Sequence, residues 1–221
     1  MKRATTTDHF DAGRPCALTV GAAHVRVIVV GLIALAAACT ARAPGALPDV
    51  HSADQAIYRA VLDTMFLPGN SSRITQLVVV DSTSTYRLDG FGMATVDRLY
   101  GISGIDSAAI SDYQARNQQP HSLKLLTGAG LRVPVVLVTS ESLRVLPGDD
   151  PEKYWDRFYR RFPHSDGSIS LSAIGYNAKG DAALLMVSHG CGALCGSGSI
   201  VVVRRDDGRW HVVSNTNLWM S

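Results

Sequence analysis

Hydrophobic residues recur along this chain with two periods, one typical of helices and one typical of strands. Ile57, Val61 and Met65 share one face of a helix over residues 52–66, and Pro68-Gly69 ends it. The same patterns predict further helices from Asp106 or Ser107 to about Asn117 and from Pro151 to about Phe162, and strands over Leu77–Val80, Val133–Val138 and Ile169–Ala173.

Two of these helices carry start signals. Ser52 followed by Gln55 fits a capping box, in which the hydroxyl and the amide side chain satisfy two free backbone N–H groups. Asp150 before Pro151 and Glu152 fits an acidic cap with proline at the first helical position.

The last forty residues predict a three-strand meander. Residues 183–188 and 199–203 are hydrophobic runs on either side of the turn HGCGALCGSG, and a second turn at 206–208 leads into residues 209–213. We therefore predict an α+β fold, with helices packed on a largely antiparallel sheet that ends in a C-terminal β-meander. Residues 52–221 are expected to form a single domain.

The N-terminal part predicts export. Residues 27–38 form an apolar run behind Arg26, with the length of a signal-peptide core and too short for a bilayer span. Residues 1–38 are therefore interpreted as a signal peptide, and residues 39–51, rich in Ala, Pro and Gly, as a tether.

Cys39 follows three alanines in a pattern that resembles the lipobox of bacterial lipoproteins. This resemblance implies lipidation of Cys39 and anchoring in the cell envelope, on the outer membrane facing the periplasm where the host has two membranes. The commonest lipobox has leucine three residues before the cysteine, whereas this chain has Ala36 there. A plain secretory signal cleaved after Ala38 is the alternative.

Charge argues against a nucleic-acid partner. Four of the 21 basic and two of the 19 acidic residues lie in residues 1–38, which leaves 17 of each in the mature chain. Binding to phosphates requires a basic face, and a formally neutral chain gives no support for one.

Cys191 and Cys195 are the pair that remains once Cys16 is removed with the signal and Cys39 is lipidated. In an exported protein, a lone pair this close is expected to form a disulfide. Two alternatives stay open: a metal site that adds His189 and His211, or a redox-active pair.

No grouping of residues identifies a reaction. His164-Ser165-Asp166 and Asp81-Ser82-Thr83 are interpreted as polar turns, because the members of a catalytic triad come from separate parts of a fold. No fingerprint for a phosphate, a dinucleotide or a metal is present, so no cofactor is expected. An exported hydrolase would require His164, His121, Asp81 and Ser82 to meet in one pocket.

The third predicted helix has an aromatic face formed by Trp155, Phe158, Tyr159 and Phe162. We expect this face to pack in the core, with a ligand-stacking platform as the alternative.

Residues 154–221 resemble a group of uncharacterised exported bacterial proteins with the pattern WxxFYxxYPxSxG, GFN, CGxLCGxG, GkWxV and a terminal WiS. Tyr176 stands in place of the family's phenylalanine and Phe162 in place of its tyrosine. The matching residues are Trp155, Phe158, Tyr159, Pro163, Ser165, Gly167, Ser172, Gly175, Asn177, Ala183, Leu184, Cys191, Gly192, Leu194, Cys195, Gly196, Gly198, Gly208, Trp210, Trp219 and Ser221. The resemblance implies an exported protein and supplies no catalytic residue.

These observations favour an envelope lipoprotein that serves as a binding or scaffold module and contacts the membrane through its N-terminal lipid. An exported hydrolase, or a redox or metal-binding protein that uses Cys191 and Cys195, is the alternative.

Overall fold

The computed structural model describes residues 51–67, 69, 73–85, 105–144 and 150–221. The predicted signal peptide, Cys39 and nearly all of the tether lie outside these residues.

Within the described residues, the α-helices are α1 (Ser52–Phe66), α2 (Ser107–Arg116) and α3 (Pro151–Arg161). The strands are β1 (Leu77–Val80), β2 (Val135–Val138), β3 (Ser168–Leu171), β4 (Gly175–Tyr176), β5 (Ala182–Gly192), β6 (Cys195–Asp206) and β7 (Arg209–Met220), and Lys124–Gly128 and Glu141–Leu143 form short 3-10 helices.

All seven strands belong to one mixed sheet with the order β2-β1-β3-β5-β6-β7, and β4 pairs with β5 beyond the end of β3. Strand β1 is parallel to both β2 and β3, and the other pairs are antiparallel. The predicted α+β class and the C-terminal meander are confirmed.

Helices cover both faces of this sheet. On one face, called the α1 face, Ile57, Val61 and Leu62 pack against Leu185 and Val201 in the main hydrophobic core. The opposite face is covered in two places. Ile110 and Tyr113 of α2 pack on Leu184, Met186 and Ile200. Helix α3 instead covers Val78 and Val138 with two phenylalanines, Phe158 and Phe162.

The capping-box prediction is wrong, although the helix itself is confirmed. The N-cap of α1 is His51, which makes no side-chain cap, and Ser52 lies inside the helix. The Gln55 amide donates 2.7 Å to the carbonyl of Leu125 on the neighbouring 3-10 segment. A tertiary partner thus holds the side chain that the local pattern assigned to the cap.

The other predicted helix starts are confirmed. The Asp106 carboxylate accepts from Ala109 N at the start of α2, and the Asp150 carboxylate accepts from the first turn of α3. Pro134 lies just before the edge strand β2, where its missing N–H costs no ladder bond and its carbonyl still accepts from Leu77 N at 3.0 Å.

Candidate functional site

A groove floored by small polar residues lies on the face of the sheet that α2 and α3 share. Ser168 and Ser170 of β3 are side by side with Gly190 and Ser188 of β5, which places all four on one face. The register of β5 with β6 adds Gly196 and Gly198 to the same face. Strands β3, β5 and β6 lie inside the sheet, so this polar floor is in its interior and away from the edge strands.

One hydroxyl group of this floor is buried without a partner. Ser188 is only 8% exposed, and its Oγ is buried without a hydrogen bond. Ser168 and Ser170 are half-buried, so water can reach this part of the floor. A buried hydroxyl without a partner costs free energy, which makes Ser188 the unusual member of this set.

Two tryptophans border the floor. A Cβ placed on Gly190 would lie 3.6 Å from Trp155 Cη2 of α3 and 3.5 Å from Ser168 Oγ. Trp219 of β7 lies over Gly198, where a Cβ would overlap its indole ring, and a Cβ on Gly196 would lie 3.3 Å from Trp219 Cζ3. Gly198 is needed here because a side chain would displace the Trp219 indole, whereas a Cβ on Gly190 would be in ordinary van der Waals contact with Trp155.

Both indoles remain partly exposed, and neither N–H has a hydrogen-bond partner within the part of the chain that the structure describes. The expectation that the aromatic face of α3 is core is therefore correct for two of its four members. Phe158 and Phe162 are buried, whereas Trp155 and Tyr159 are half-buried.

The disulfide closes the hairpin tip next to the groove. Cys191 and Cys195 are bonded, with their Cα atoms 5.0 Å apart. The Tyr159 hydroxyl donates 2.8 Å to the carbonyl of Cys191, which ties α3 to the tip. Burial, and to a smaller extent the charge of Asp166, raises the pKa of Tyr159, so this phenol stays a neutral donor.

The zinc set considered from the sequence does not assemble. The two cysteines are bonded to each other, and His211 lies opposite Arg204, near the end of the hairpin remote from its tip. The described residues contain no group of three or more potential metal ligands.

The four residues that the hydrolase alternative requires do not meet in one pocket. The His164 carbonyl accepts from Thr75 N before β1, whereas Asp81 and Ser82 follow β1. Six residues of extended chain separate Thr75 from Asp81, about 20 Å. His121 lies with the second group, because its N–H donates to Thr83 Oγ1 at 2.9 Å.

The first polar triplet lies in a turn, as predicted, but the prediction of a turn at residues 81–83 is wrong, because this segment stays paired beyond the end of β1. His164 has a left-handed φ of 57°, and the Ser165 hydroxyl donates back to the Phe162 carbonyl at 2.8 Å after the end of α3. Ser82 bridges to Ser122 in a short pairing after β1.

Another histidine, aspartate and serine lie close to one another on the α1 face. His189 Nε2 contacts the main-chain carbonyl of Asp166 and lies 3.8 Å from its Oδ2. Ser197 is directly opposite His189 on β6. No hydrogen bond joins the Ser197 hydroxyl to the imidazole among the described residues, so this set lacks the nucleophile–base contact of a triad.

An open cleft of about 440 Å³ lies at the other end of the hairpin. Its charges are mixed, with Lys179, Arg204 and Arg205 facing three aspartates. Two of these carboxylates already have structural roles: Asp106 caps α2 and Asp181 accepts from the Asn177 amide at 2.7 Å. We therefore assign the candidate site to the groove, where the Ser188 hydroxyl has no partner.

One sequence pattern indicates the polar floor of the groove. Ser168, Ser170 and Ser172 alternate with Ile169 and Leu171, a pattern that normally marks a strand with one face in solvent. Only the strand order shows that β3 is internal and that its serine face therefore opens between two helices.

Comparison with known proteins finds no match: no family model, no curated protein and no solved structure is similar to this chain. Among the described residues, no helix is long and apolar enough to cross a membrane.

Proposed function

We propose that the protein is an exported, lipid-anchored binding module of the bacterial cell envelope, and that the groove between α2 and α3 is its ligand site. The observation that carries the binding role is the polar face of the internal strands β3 and β5 between the two helices, where the Ser188 hydroxyl is buried without a partner beside the half-buried Ser168 and Ser170. A buried hydroxyl without a partner costs free energy, so an apolar residue at position 188 would stabilise the fold.

The anchor is proposed from the sequence alone. The apolar run at 27–38 and Cys39 favour lipidation, and the tether at 39–51 then joins the anchor to α1. In a host with two membranes, the module would face the periplasm from the outer membrane.

The direction of α1 supports this arrangement. Its first turn holds Asp54, which accepts from the Tyr176 hydroxyl beside the start of β5, and its last turn holds Phe66, whose ring centroid is 5.2 Å from that of His189. A helix of 15 residues is about 22 Å long, so the tether joins the domain at the end remote from the hairpin tip.

Metabolic labelling with an alkyne fatty acid tests the anchor. Wild type should be labelled and recovered in the membrane fraction, and Cys39→Ala should lose both properties because the acylated thiol is absent. Cys16→Ala is the matched control, since Cys16 lies within the predicted signal peptide and should leave the labelling unchanged. Equal labelling of all three proteins, or labelling of none, would show that the anchor is wrong.

A further inference from the structure

The two edges of the sheet differ in how they are protected. The β2 edge has four residues and follows Pro134, and a short strand beside a proline offers little backbone to another chain. The β7 edge has twelve residues and contains no proline. Among the described residues, no strand pairs with its outer side. The free N–H and C=O groups of this edge are therefore a template for a further strand.

The side chains of β7 leave this edge without charge over most of its length. Arg209 and His211 lie at the start of the strand, and no Asp, Glu, Lys or Arg occurs over residues 212–220. Val213 is 49% exposed and Met220 74%, and they are two of the three exposed large hydrophobic side chains among the described residues. Charged side chains commonly protect edge strands, so their absence leaves residues 212–220 open to pairing.

Strand β7 is fixed in place from both faces of the sheet. Trp210 and Val212 pack against the main core on the α1 face. Leu218 packs against the cluster of Ile110 and Ile200 on the opposite face. A strand that adds to this edge therefore requires little ordering of β7 itself, which favours association.

Two bulges interrupt β7 at nearly symmetrical places. The pairing with β6 skips Val213 and Leu218, which lie two residues before and three residues after Asn215. A bulge normally hinders further pairing at an edge. Antiparallel pairing of two copies about Asn215 brings each bulge close to a bulge of the other copy, so both strands regain register beyond it.

The distribution of charge favours a second copy in this antiparallel orientation. Parallel pairing would place Arg209 beside the same residue of the other copy. Antiparallel pairing about Asn215 separates the two guanidinium groups by about 40 Å, well beyond the Debye length of about 8 Å at physiological salt. It also places Asn215 opposite Asn215 of the other copy, and amide side chains both donate and accept hydrogen bonds.

The ends of the strand are complementary in the same orientation. His211 and Trp219 lie on one face of the sheet, because their partners on β6, Arg204 and Gly198, are an even number of residues apart. Pairing about Asn215 puts His211 of each copy opposite Trp219 of the other. The basic start of one strand therefore meets a partly exposed indole, which attracts cations.

We propose that the protein forms a two-fold symmetric dimer, in which β7 pairs antiparallel with β7 of a second copy and the two sheets become one. The interface is small. One pair of edge strands buries less than the about 1,600 Å² of a standard interface, so we expect a dissociation constant in the micromolar range.

The test uses the full chain with its disulfide intact and with Cys39→Ala, so that no acyl chain contributes to association. Sedimentation equilibrium at micromolar concentrations should show monomer and dimer. Asn215→Lys should raise the dissociation constant at least about tenfold, because it places like charges opposite each other at the two-fold axis. Asn215 is exposed, so the fold should be unchanged by circular dichroism.

A mixture of Asn215→Lys and Asn215→Glu should associate at least as tightly as wild type, since opposite charges then meet. Leu194→Lys is the matched control. Leu194 is 88% exposed at the hairpin tip and is the third exposed large hydrophobic side chain among the described residues. It does not lie on β7, so Leu194→Lys should leave the dissociation constant unchanged.

A monomer at every concentration would overturn the dimer. If that monomer bound a fluorescent peptide of alternating valine and threonine, and Asn215→Lys abolished this binding, the edge would accept a foreign strand instead of a second copy. Association that Leu194→Lys abolishes and Asn215→Lys leaves intact would move the contact to the hairpin tip. A mixture as weak as the two single variants would contradict antiparallel pairing about Asn215.

Discussion

At the scale of single residues, Gly167 meets two constraints at once. Its φ is +85°, in the left-handed region, and a Cβ there would overlap the carbonyl oxygen of Gly190 and lie 2.9 Å from Cys191 Cα. Gly180 has a similar φ of +67° but no heavy atom within 4 Å of the Cβ position. A substitution at Gly180 therefore tests backbone strain alone, whereas a substitution at Gly167 tests strain together with steric overlap.

Gly167→Ala should lower the free energy of unfolding by about 3 kcal/mol or more, since the strain of a left-handed residue adds to overlap with a neighbouring strand. Gly180→Ala, the matched control, should cost only about 1 kcal/mol, the strain alone. Urea titration of both variants measures the difference. Equal losses would mean that the hairpin moves freely away from residue 167.

At the scale of elements, the β5–β6 hairpin combines a rigid stem with a tip rich in glycine. Leu185 and Val201 hold its stem in the core. The Cys191–Cys195 bond closes the tip, and Tyr159 of α3 donates to the Cys191 carbonyl there. The bond therefore shapes the end of the groove more than it supports the fold.

The variant Cys191→Ser/Cys195→Ser should fold and lose about 2 kcal/mol, as chain entropy predicts for so short a loop. Because the stem stays packed, hydrogen exchange should speed up at residues 190–196 and stay slow at residues 184–187. Wild type treated with a phosphine reductant should behave in the same way. Faster exchange along the whole hairpin would contradict a local role.

At the scale of the whole molecule, a buried polar network joins the helices on the two faces of the sheet. Arg116 of α2 donates 2.6 Å to Asp54 Oδ2 of α1, and the Tyr176 hydroxyl of β4 donates 2.7 Å to Asp54 Oδ1. Asp54 is fully buried. Its charge is compensated by these partners, and removing one of them would leave it uncompensated.

The network makes stability depend on pH in the alkaline range. Burial first, and then the hydrogen bond to Asp54 and its charge, raises the pKa of Tyr176 well above its usual value. The folded protein therefore keeps the phenol protonated where the unfolded chain ionises. Stability is fully present below about pH 10, the pKa in the unfolded chain, and is lost as the pH rises above it.

Tyr176→Phe should remove up to about 1.4 kcal/mol per pH unit of this loss above pH 10. At pH 7 it should lower the free energy of unfolding by about 1 to 3 kcal/mol, because Asp54 Oδ1 loses its donor. Urea titrations at pH 7 and between about pH 9.5 and 11.5 measure both effects. Trp210→Phe is the control, since this ring packs 6.1 Å from that of Tyr176 and does not titrate. An alkaline slope that is unchanged in Tyr176→Phe would rule out this cause.

Local patterns were sufficient for most of the elements. The helices at 52–66, 107–116 and 151–161 and the strand at 77–80 follow from hydrophobic periodicity and from short-range caps such as Asp106 and Asp150. The run at 199–203 is confirmed as the middle of a longer strand, but the turn predicted over residues 189–198 is wrong at both ends, which are paired. These signals act within a few residues along the chain, so they do not depend on which other elements pack against the segment. The hairpin tip and its disulfide were predicted for the same reason.

Tertiary structure alone decided the groove and the fate of the predicted capping box of α1. The Gln55 side chain does not cap α1, because it donates instead to the carbonyl of Leu125, which is distant in sequence. Strand pairings that periodicity does not specify make neighbours of Ser168, Ser188 and Gly198. Hydrophobic alternation has the same pattern in an edge strand as in an interior strand, so it does not give the strand order. The sequence thus determined which residues form strands and which face of each is polar. The strand order decided that the polar face of β3 lies in the middle of the sheet, beside the buried and unpartnered Ser188 hydroxyl of β5.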